Sequence, residues 1–450
     1  MDAGTEIIIP HTNTPPACGV FVFAIFVDIQ GHGRFPYKRV IVKNINKLKE
    51  ARTLTYIELG TREYKKASLA LFFGGFVTFA ILYTTQPLLP VFAKEFHVSA
   101  ASASLTVSVS TGTLAVMMLI AASLSDRVGK KKVMMISMLL TSMLALAMSF
   151  SPNFISLVLA RMFLGMAAAG IPSLAMAYVA EEFHPAGIGK VMGLYISGTS
   201  LGGMAGRILT GLLTDLFSWR TALFAIGIIS LLLSLIFALI LPAPRHSVNK
   251  PLNGKTALRA YAVHLHNKPL MALIVLGFLF MGGFVTLYNY IGFLLGDPPY
   301  SFSQSVLGFL FIVYLFGSFS SVYMGKKADL SGHALVLSIS VALTALGAVV
   351  TLVPSVVVKI IGLSLFTFGF FGCHSIASAW IGECANVNKA QASSLYLLFY
   401  YLGSSLAGTA GGYFWTHFHW LGVITFIVIL LLLSYPLISY AHKHLKQLPQ

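Results

Sequence analysis

Long apolar segments separated by short polar stretches repeat along most of this chain. From residue 67 onward there are twelve, each near the length of about 20 helical residues that crosses a hydrocarbon layer. They cover residues 68–91, 102–124, 132–151, 154–180, 187–214, 219–242, 269–296, 303–325, 333–353, 356–382, 390–415 and 421–441. Helices are expected rather than strands, because an open sheet edge leaves backbone groups unpaired in lipid. The pattern predicts an all-α polytopic membrane protein with 12 transmembrane helices.

Hydrophilic stretches divide these segments into two sets of six. The predicted divisions are an N-terminal extension (1–66), a first six-helix bundle (67–242), a linker (243–268), a second six-helix bundle (269–442) and a C-terminal tail (443–450). The apolar part of the extension, Ala17 to Val27, is too short to cross a membrane. We interpret the extension as a cytoplasmic tail with no assigned role.

The two predicted bundles share short sequence matches in the same order. Residues 74–78 read GGFVT and recur verbatim at 282–286. Further matches at offsets of 201 to 203 pair Asp126 with Asp329, Gly170 with Gly372, Glu181 with Glu383, Leu194 with Leu395, and Trp219 with Trp420. Such an ordered set indicates two parallel six-helix pseudo-repeats. In transporters built from such repeats, the substrate site forms between the halves.

Composition and charge agree with a membrane protein. The chain is 57% hydrophobic and only 10% charged, whereas soluble domains carry about 25% charged residues. Placing the N-terminus inside puts 25 of the 30 Lys and Arg residues on one side, which predicts that both termini are cytoplasmic. The net charge of +16 is therefore topological and does not argue for a nucleic-acid partner.

Few residues have the chemistry of a cofactor or metal site. The three cysteines are too scattered for a disulfide framework or a metal cluster. We expect no metal and no cofactor. The expected partners are the lipid bilayer, a small-molecule substrate and protons, with the protein a monomer in the bacterial inner (plasma) membrane.

The loop after the second predicted helix combines an acidic residue, a glycine turn and a basic cluster. It reads Leu124-Ser-Asp-Arg-Val-Gly-Lys-Lys-Lys132, and it resembles the signature Gly-x-Leu-x-Asp-Arg-x-Gly-Arg-Lys of the major facilitator superfamily. Ala122 replaces the first glycine and Lys130 the first basic residue. The resemblance, with the six-plus-six repeat, covers residues 67–442 and implies the major facilitator fold. It implies a conformational latch at Asp126, Arg127, Gly129, Lys130, Asp329 and Gly332. The blander interpretation is that the lysines only set topology.

The fifth predicted helix carries glycines on one face. Gly198, Gly202 and Gly206 lie four residues apart, so another helix backbone can approach closely. The stretch resembles the antiporter motif Gly-x-x-x-Gly-Pro-x-x-Gly-Gly, with Gly203 in place of the proline and Arg207 in place of the final glycine. The second half has a related stretch with Gly403, Gly408 and Gly411, and with Gly412 where the first half has arginine. The resemblance favours export by antiport, as in bacterial inner-membrane efflux permeases of the arabinose-efflux or drug–proton antiporter type.

Two arginines inside predicted helices are candidates for the functional site, because a cation in lipid is costly. For Arg207 we weigh a structural hydrogen bond to backbone carbonyls, a contact with substrate or coupling ion, and snorkelling to the interface. Arg161 lies in Arg161-x-x-x-Gly165, which resembles the Arg-x-x-Gln-Gly motif linked to proton transfer, with Leu164 replacing the glutamine.

Proton coupling lacks the usual carrier, since none of the 14 carboxylates lies deep in a predicted helix. His374 is the only histidine inside one, and it either titrates or forms a structural hydrogen bond. Gln86, Tyr288 and Asn289 either line a central cavity or belong to packing between helices. We predict a non-enzymatic secondary transporter that exports a small organic solute by alternating access, with proton antiport. A uniporter, or a membrane receptor or enzyme, is the alternative.

Overall fold

The computed structural model describes residues 56–246, 261–385 and 389–445. Residues 1–55, most of the predicted linker and the end of the C-terminal tail lie outside these ranges, as does Cys18. The described chain is helical, with one isolated backbone bridge between Ile57 and Phe183. The prediction of an all-α protein is confirmed.

The helices follow the predicted apolar segments, with several interruptions. Before the linker they are α1 (Arg62–Tyr83), α2 (Leu89–Glu95), α3 (Ala100–Val128), α4 (Lys130–Met148), α5 (Phe154–Ala168), α6 (Gly170–Glu182), α7 (Pro185–Leu216) and α8 (Trp219–Ile240). After it they are α9 (Lys268–Gly296), α10 (Gln304–Phe309), the 3₁₀ turn Leu310–Val313, α11 (Tyr314–Ser331), α12 (His333–Val350), α13 (Val356–Cys384), α14 (Lys389–Leu432) and α15 (Ser434–Leu445).

Ten helical stretches of the described chain are long and apolar enough to cross a membrane. One of them, Gln391–Leu445, has 55 residues, or about 80 Å of helix, which is enough for two crossings. Its backbone is non-helical at His419 (φ 50°, ψ −145°). Helix α7 is not among the ten, although its 32 residues are long enough. The count of twelve crossings therefore stays a prediction.

Equivalent glycines make the turns between α3 and α4 and between α11 and α12. Gly129 has φ 96° and ψ 136°, and Gly332 has φ 91° and ψ 137°. A positive φ of this size is a conformation that glycine adopts without steric cost. The two loops that the repeat relates therefore have the same backbone turn.

The first helix ends early because of Pro87. Proline has no N–H to donate to the carbonyl four residues earlier, and α1 stops at Tyr83 before the chain resumes as α2. The Thr84 hydroxyl donates back to the Ile81 carbonyl oxygen at 3.0 Å. This break leaves backbone carbonyls and the Gln86 side chain in the buried interior, with Gln86 only 2% exposed.

The segments 62–240 and 268–445 contact each other at the Asp215 end of α7. The Asp215 carboxylate accepts hydrogen bonds from the backbone N–H groups of Gln304 (3.0 Å) and Ser305 (2.7 Å) in α10. Lys94 pairs with Asp297 at 3.4 Å. These contacts hold the two segments together at this end.

Candidate functional site

A chain of hydrogen bonds joins three helical regions at the buried centre. Arg207 in α7 donates from Nε to Gln86 Oε1 at 2.8 Å. Gln86 then donates from Nε2 to Asn289 Oδ1 in α9, also at 2.8 Å. All three side chains are at most 3% exposed. The structure thus brings together three of the predicted candidates, from both segments of the chain.

Three aromatic rings surround the Arg207 guanidinium. Its carbon lies 4.5 Å from the ring centres of Tyr83 and Phe311 and 5.1 Å from that of Tyr314. Such contacts stabilise a cation by about 0.5–2 kcal/mol each. Nη1 also donates to the Gly203 carbonyl oxygen at 2.6 Å. Arg207 therefore faces protein and not lipid, so the snorkelling interpretation is wrong.

No acidic group neutralises this arginine within the described residues. Their six ion pairs involve other side chains. The nearest carboxylate along α7, Asp215, is bound by the backbone of α10. The buried centre consequently carries one positive charge whose partners are a neutral amide, a carbonyl and aromatic rings.

Several polar atoms near the centre have no hydrogen-bond partner in the described chain. They include Asn289 Nδ2, the Tyr314 hydroxyl and Ser108 Oγ. Two of them flank Gly408, since a Cβ atom there would lie 3.4 Å from Asn289 Nδ2 and 3.6 Å from Ser108 Oγ. Buried polar groups are normally satisfied by protein or by ordered water. These atoms are therefore available to water or to a bound solute.

An open groove of about 190 Å³ lies between α7 and α11 beside Tyr314, and part of its wall is exposed at the surface, Leu201 by 39% and Leu315 by 53%. Its walls carry hydroxyl and apolar groups: Ser197, Ser200, Leu201, Met204, Tyr314, Leu315 and Ser318. Tyr314 is shared between this groove and the rings around Arg207. The groove lies on the Lys190 side of Arg207 along α7 and is therefore on the opposite side from the contacts of Asp215.

Sequence reasoning left Tyr288 as either a cavity-lining or a packing residue, and it missed Phe311 and Tyr314. The Tyr288 hydroxyl shares a hydrogen bond of 2.6 Å with Thr367, and its ring lies 5.1 Å from that of Phe311. Tyr288 therefore supports the aromatic wall from behind. A segment rich in phenylalanine offers no periodic signal that would single out Phe311, which lies in the 3₁₀ turn.

Arg161 occupies a different environment, although it is fully buried (0% exposed). Its Nη1 donates to the Ile81 carbonyl oxygen at 3.1 Å, Nη2 donates to that of Leu82, and Nε donates to that of Thr106. The guanidinium thus binds the carbonyls at the broken end of α1 and joins α5 to α1 and α3. Its geometry agrees with the structural interpretation.

His374 lies in an aromatic cluster apart from the arginine. Its Nδ1 and the Tyr396 hydroxyl are 2.8 Å apart. Its ring lies 4.6 Å from that of Tyr400 and stacks on Phe370 at 6.4 Å. No hydrogen bond of the described chain links His374 with Arg207, so the structure does not join these candidates in one network.

The predicted latch residues lie at the ends of α3 and α11. Lys130 pairs with Glu181 of α6 at 2.8 Å. At the repeat-related position His333 lies 3.5 Å from Glu383, and Asp329 is close to both. Asp126 and Arg127 belong to none of the ion pairs between described residues. Sequence reasoning did not anticipate the two glutamates as partners.

A charge reversal tests the Lys130–Glu181 pair. We expect Lys130→Glu to lower the melting temperature, because it places two carboxylates together, and Glu181→Lys in the same chain to restore it. The coupling in a double-mutant cycle should be about 0.5–1 kcal/mol. Lys132 is exposed and has no ion pair in the described chain, so Lys132→Glu is the matched control. The pairing would be contradicted if Lys130→Glu and Lys132→Glu lowered the melting temperature equally and Glu181→Lys did not restore it.

The glycines of α7 lie against the backbone of α1. A Cβ atom at Gly202 would overlap the Phe76 carbonyl oxygen, and one at Gly206 would lie 2.6 Å from that of Ala80. Gly198 meets Phe72 in the same register. In the second segment Gly403 meets Phe278 of α9, and Gly411 meets Thr286. Both helix pairs therefore approach closely at glycines, although the residues contacted on α9 differ by two positions from those that the GGFVT match makes equivalent to the α1 residues.

Gly202→Ala should destabilise the protein, whereas Gly193→Ala should not. The added methyl group at 202 forces α1 and α7 apart, and overpacking costs about 1–3 kcal/mol. Gly193 lies on the same helix with nothing within 4 Å of its Cβ position. Alanine there improves helix propensity by about 1 kcal/mol. Thermal unfolding of the purified variants in detergent measures both, and equal melting temperatures would refute the close approach.

Fold and site together define a helical, multi-pass membrane protein with a buried polar centre. The family model of the Major Facilitator Superfamily matches residues 71–372. The chain is 47% identical to the uncharacterized MFS-type transporter YybF of Bacillus subtilis over 394 residues, which are 87% of this chain and 97% of that protein. It is 42% identical to the inner membrane transport protein YnfM of Escherichia coli, over 87% of this chain and 94% of that protein. The chain therefore belongs to the Major Facilitator Superfamily, and it is a membrane transporter of that type.

Solved structures share the fold at low sequence identity. A bacterial homolog of the human lysosomal transporter Spinster, inward-facing and unoccupied, aligns with a TM-score of 0.69 at 14% identity. That alignment covers 87% of this chain and all of the other. The nucleoside transporter NupG aligns with a TM-score of 0.68 at 17% identity, over 84% of this chain and 99% of the other. These likenesses support the major facilitator fold predicted from the sequence.

Proposed function

We propose that the protein exports a small organic solute by alternating access, with Arg207 at the centre of the binding site. The observation that carries this proposal is the hydrogen-bond chain from Arg207 through Gln86 to Asn289. It crosses from residues 67–242 to residues 269–442, which we propose as the two bundles that move. A polar chain across the plane of movement must change its partners when the bundles separate, so it senses both solute and conformation.

The proposed orientation has both termini on the cytoplasmic side of the bacterial inner membrane. The asymmetry of Lys and Arg supports it. In this orientation the contacts of Asp215 lie on the outer side, and the groove beside Tyr314 lies on the cytoplasmic side of Arg207. Entry of solute from the cytoplasm is the first step of export. We propose that the protein works as a monomer, without a nucleic-acid partner or a catalysed chemical reaction.

Proton antiport is the proposed coupling, with His374 as the group that takes up the proton. Its support is the contact with the Tyr396 hydroxyl, which gives the imidazole a hydrogen-bond partner that can act as donor or acceptor. The altered antiporter motif of α7 supports export over import. The second candidate is uncoupled uniport, favoured by the positions of the described carboxylates, which lie toward helix ends and in loops.

Flux in inside-out vesicles tests the proposal. Solutes are screened for uptake driven by an imposed pH gradient, with and without a proton uncoupler, in a strain lacking other exporters. Uptake that collapses with the uncoupler supports antiport, and uptake that is insensitive to it supports uniport. If no screened solute moves in either condition while the protein is present in the membrane, the proposal of solute export fails.

A further inference from the structure

The charge of the central site restricts the solute that it can hold. Arginine stays protonated in proteins, so Arg207 holds one positive charge at 3% exposure. Its partners among the described residues are the Gln86 amide, the Gly203 carbonyl and three aromatic rings, and none of them carries a formal negative charge. A buried charge without a counter-charge is costly. An anion bound there offsets that cost.

Comparison with Arg161 shows that Arg207 keeps a donor group free. At Arg161 all three guanidinium nitrogens donate to backbone carbonyls. At Arg207 only Nε and Nη1 donate to groups of the described chain. The remaining nitrogen, Nη2, has no hydrogen-bond partner among the described residues, and the guanidinium carbon lies 4.5 Å from the ring centres of Tyr83 and Phe311 and 5.1 Å from that of Tyr314. Every guanidinium nitrogen of Arg161 is thus held by the fold, whereas one nitrogen of Arg207 is not.

Further unpartnered donors lie around the same centre. The Tyr314 hydroxyl, whose ring lies 5.1 Å from the guanidinium carbon, has no partner in the described chain. Asn289 lies at the other end of the hydrogen-bond chain from Arg207. Its Nδ2 also has no partner in the described residues, although the residue is fully buried. A hydroxyl, an amide N–H and a guanidinium N–H are the donors that a carboxylate accepts from.

The surroundings restrict the rest of the solute. The adjoining groove of about 190 Å³ opens to the surface, with Leu315 53% exposed, and offers less contact area than sites for drug-sized ligands, which enclose roughly 300–1,000 Å³. Its wall combines serine hydroxyls with Leu201, Met204 and Leu315 and has no charged side chain. A compact body with apolar or aromatic surface suits such a wall, and a second charge does not.

We infer that the site takes a small organic monoanion, a carboxylate on a compact apolar or aromatic body, with Arg207 binding the carboxylate. The juxtaposition of an uncompensated arginine, two unpartnered buried donors and aromatic walls carries this inference. It rests on the proposed function only in taking the central site as the solute site. It goes further by naming the charge and size of the solute.

Calorimetric titration of the purified full-length protein in nanodiscs tests the inference. The probes are benzoate, salicylate and hexanoate, with benzamide and benzylamine as the neutral and cationic counterparts of benzoate. We expect at least one carboxylate to bind and the amine to bind more weakly than benzoate. Arg207→Gln should raise the Kd of that carboxylate about 10- to 100-fold, the factor that corresponds to losing one charge-assisted hydrogen bond. Gly193→Ala should leave the Kd unchanged.

The outcomes separate this inference from the proposed function. If no carboxylate binds, if benzamide or benzylamine binds as tightly as benzoate, or if Arg207→Gln leaves the Kd unchanged, the inference is overturned. Melting temperatures of the variants establish that each is folded. If carboxylate binds in an Arg207-dependent way but no flux occurs in proteoliposomes, the anion site is supported and the export proposal fails. If a neutral solute is transported and no carboxylate binds, the export proposal is supported and the anion site fails.

Discussion

Replacing Arg207 with alanine is expected to reduce transport at least about 100-fold while the protein still folds. The substitution removes the charge at the centre and breaks the first hydrogen bond of the chain to Gln86 and Asn289. Interactions of a charged group with a bound solute contribute about 1.5–3 kcal/mol each, and Arg207 offers more than one donor. The loss of an uncompensated buried cation offsets part of the cost to folding.

Initial flux rates in vesicles measure this prediction, normalised to the amount of transporter in the membrane. Arg207→Lys keeps the charge but loses the planar donor pattern, so its rate should lie between wild type and alanine. Gly193→Ala, on the same helix and away from any close contact, is the control for changes in α7. Full transport by the alanine variant at equal protein level would remove Arg207 from the solute site.

Arg161→Leu is expected to damage folding rather than solute recognition. It leaves the carbonyls of Ile81, Leu82 and Thr106 without the guanidinium that binds them. The Ile81 and Thr106 carbonyls keep hydroxyl donors, but the Leu82 carbonyl loses its guanidinium partner, and a buried polar group that loses its partner costs about 1–3 kcal/mol. The break of α1 at Pro87 depends on this arginine, because the carbonyls there have left the regular helical pattern.

Melting temperature and yield of the purified protein distinguish the two arginines. We expect a large decrease in melting temperature for Arg161→Leu and a small one for Arg207→Leu, although both arginines are buried. Any Arg161→Leu protein that remains folded should bind carboxylate probes with a Kd close to that of wild type. The reverse order of melting temperatures would show that the roles assigned to the two arginines are exchanged.

Much of the fold was predictable because it follows from local sequence. Apolar length predicts membrane helices, and the glycine turns at Gly129 and Gly332 could be placed from the repeat before their common backbone geometry was known. The stretch from Gly198 to Gly206 was predicted to admit a close helix, since spacing of four residues defines a helix face. The helix that occupies this face could not be named, because many apolar helices are alternatives.

The site was predictable only as a set of separate candidates. Arg207 and Gln86 are 121 residues apart, and Gln86 and Asn289 are 203 apart. Whether such side chains meet depends on the rotation of each helix about its axis, which local pattern does not specify. The two arginines illustrate this. Both are costly charges in apolar helices, yet every nitrogen of Arg161 donates to a carbonyl, whereas one nitrogen of Arg207 has no partner in the described chain.

The sequence by itself determined that the chain is a helical membrane protein of duplicated halves with a major facilitator loop. Hydropathy, charge asymmetry and repeated motifs are properties of short segments, so they can be recognised without knowing how the helices pack. The tertiary structure alone decided which polar groups share the buried centre and which arginine keeps a guanidinium nitrogen without a hydrogen-bond partner in the described chain. These depend on atoms from distant segments that approach within about 3 Å, the range of a hydrogen bond.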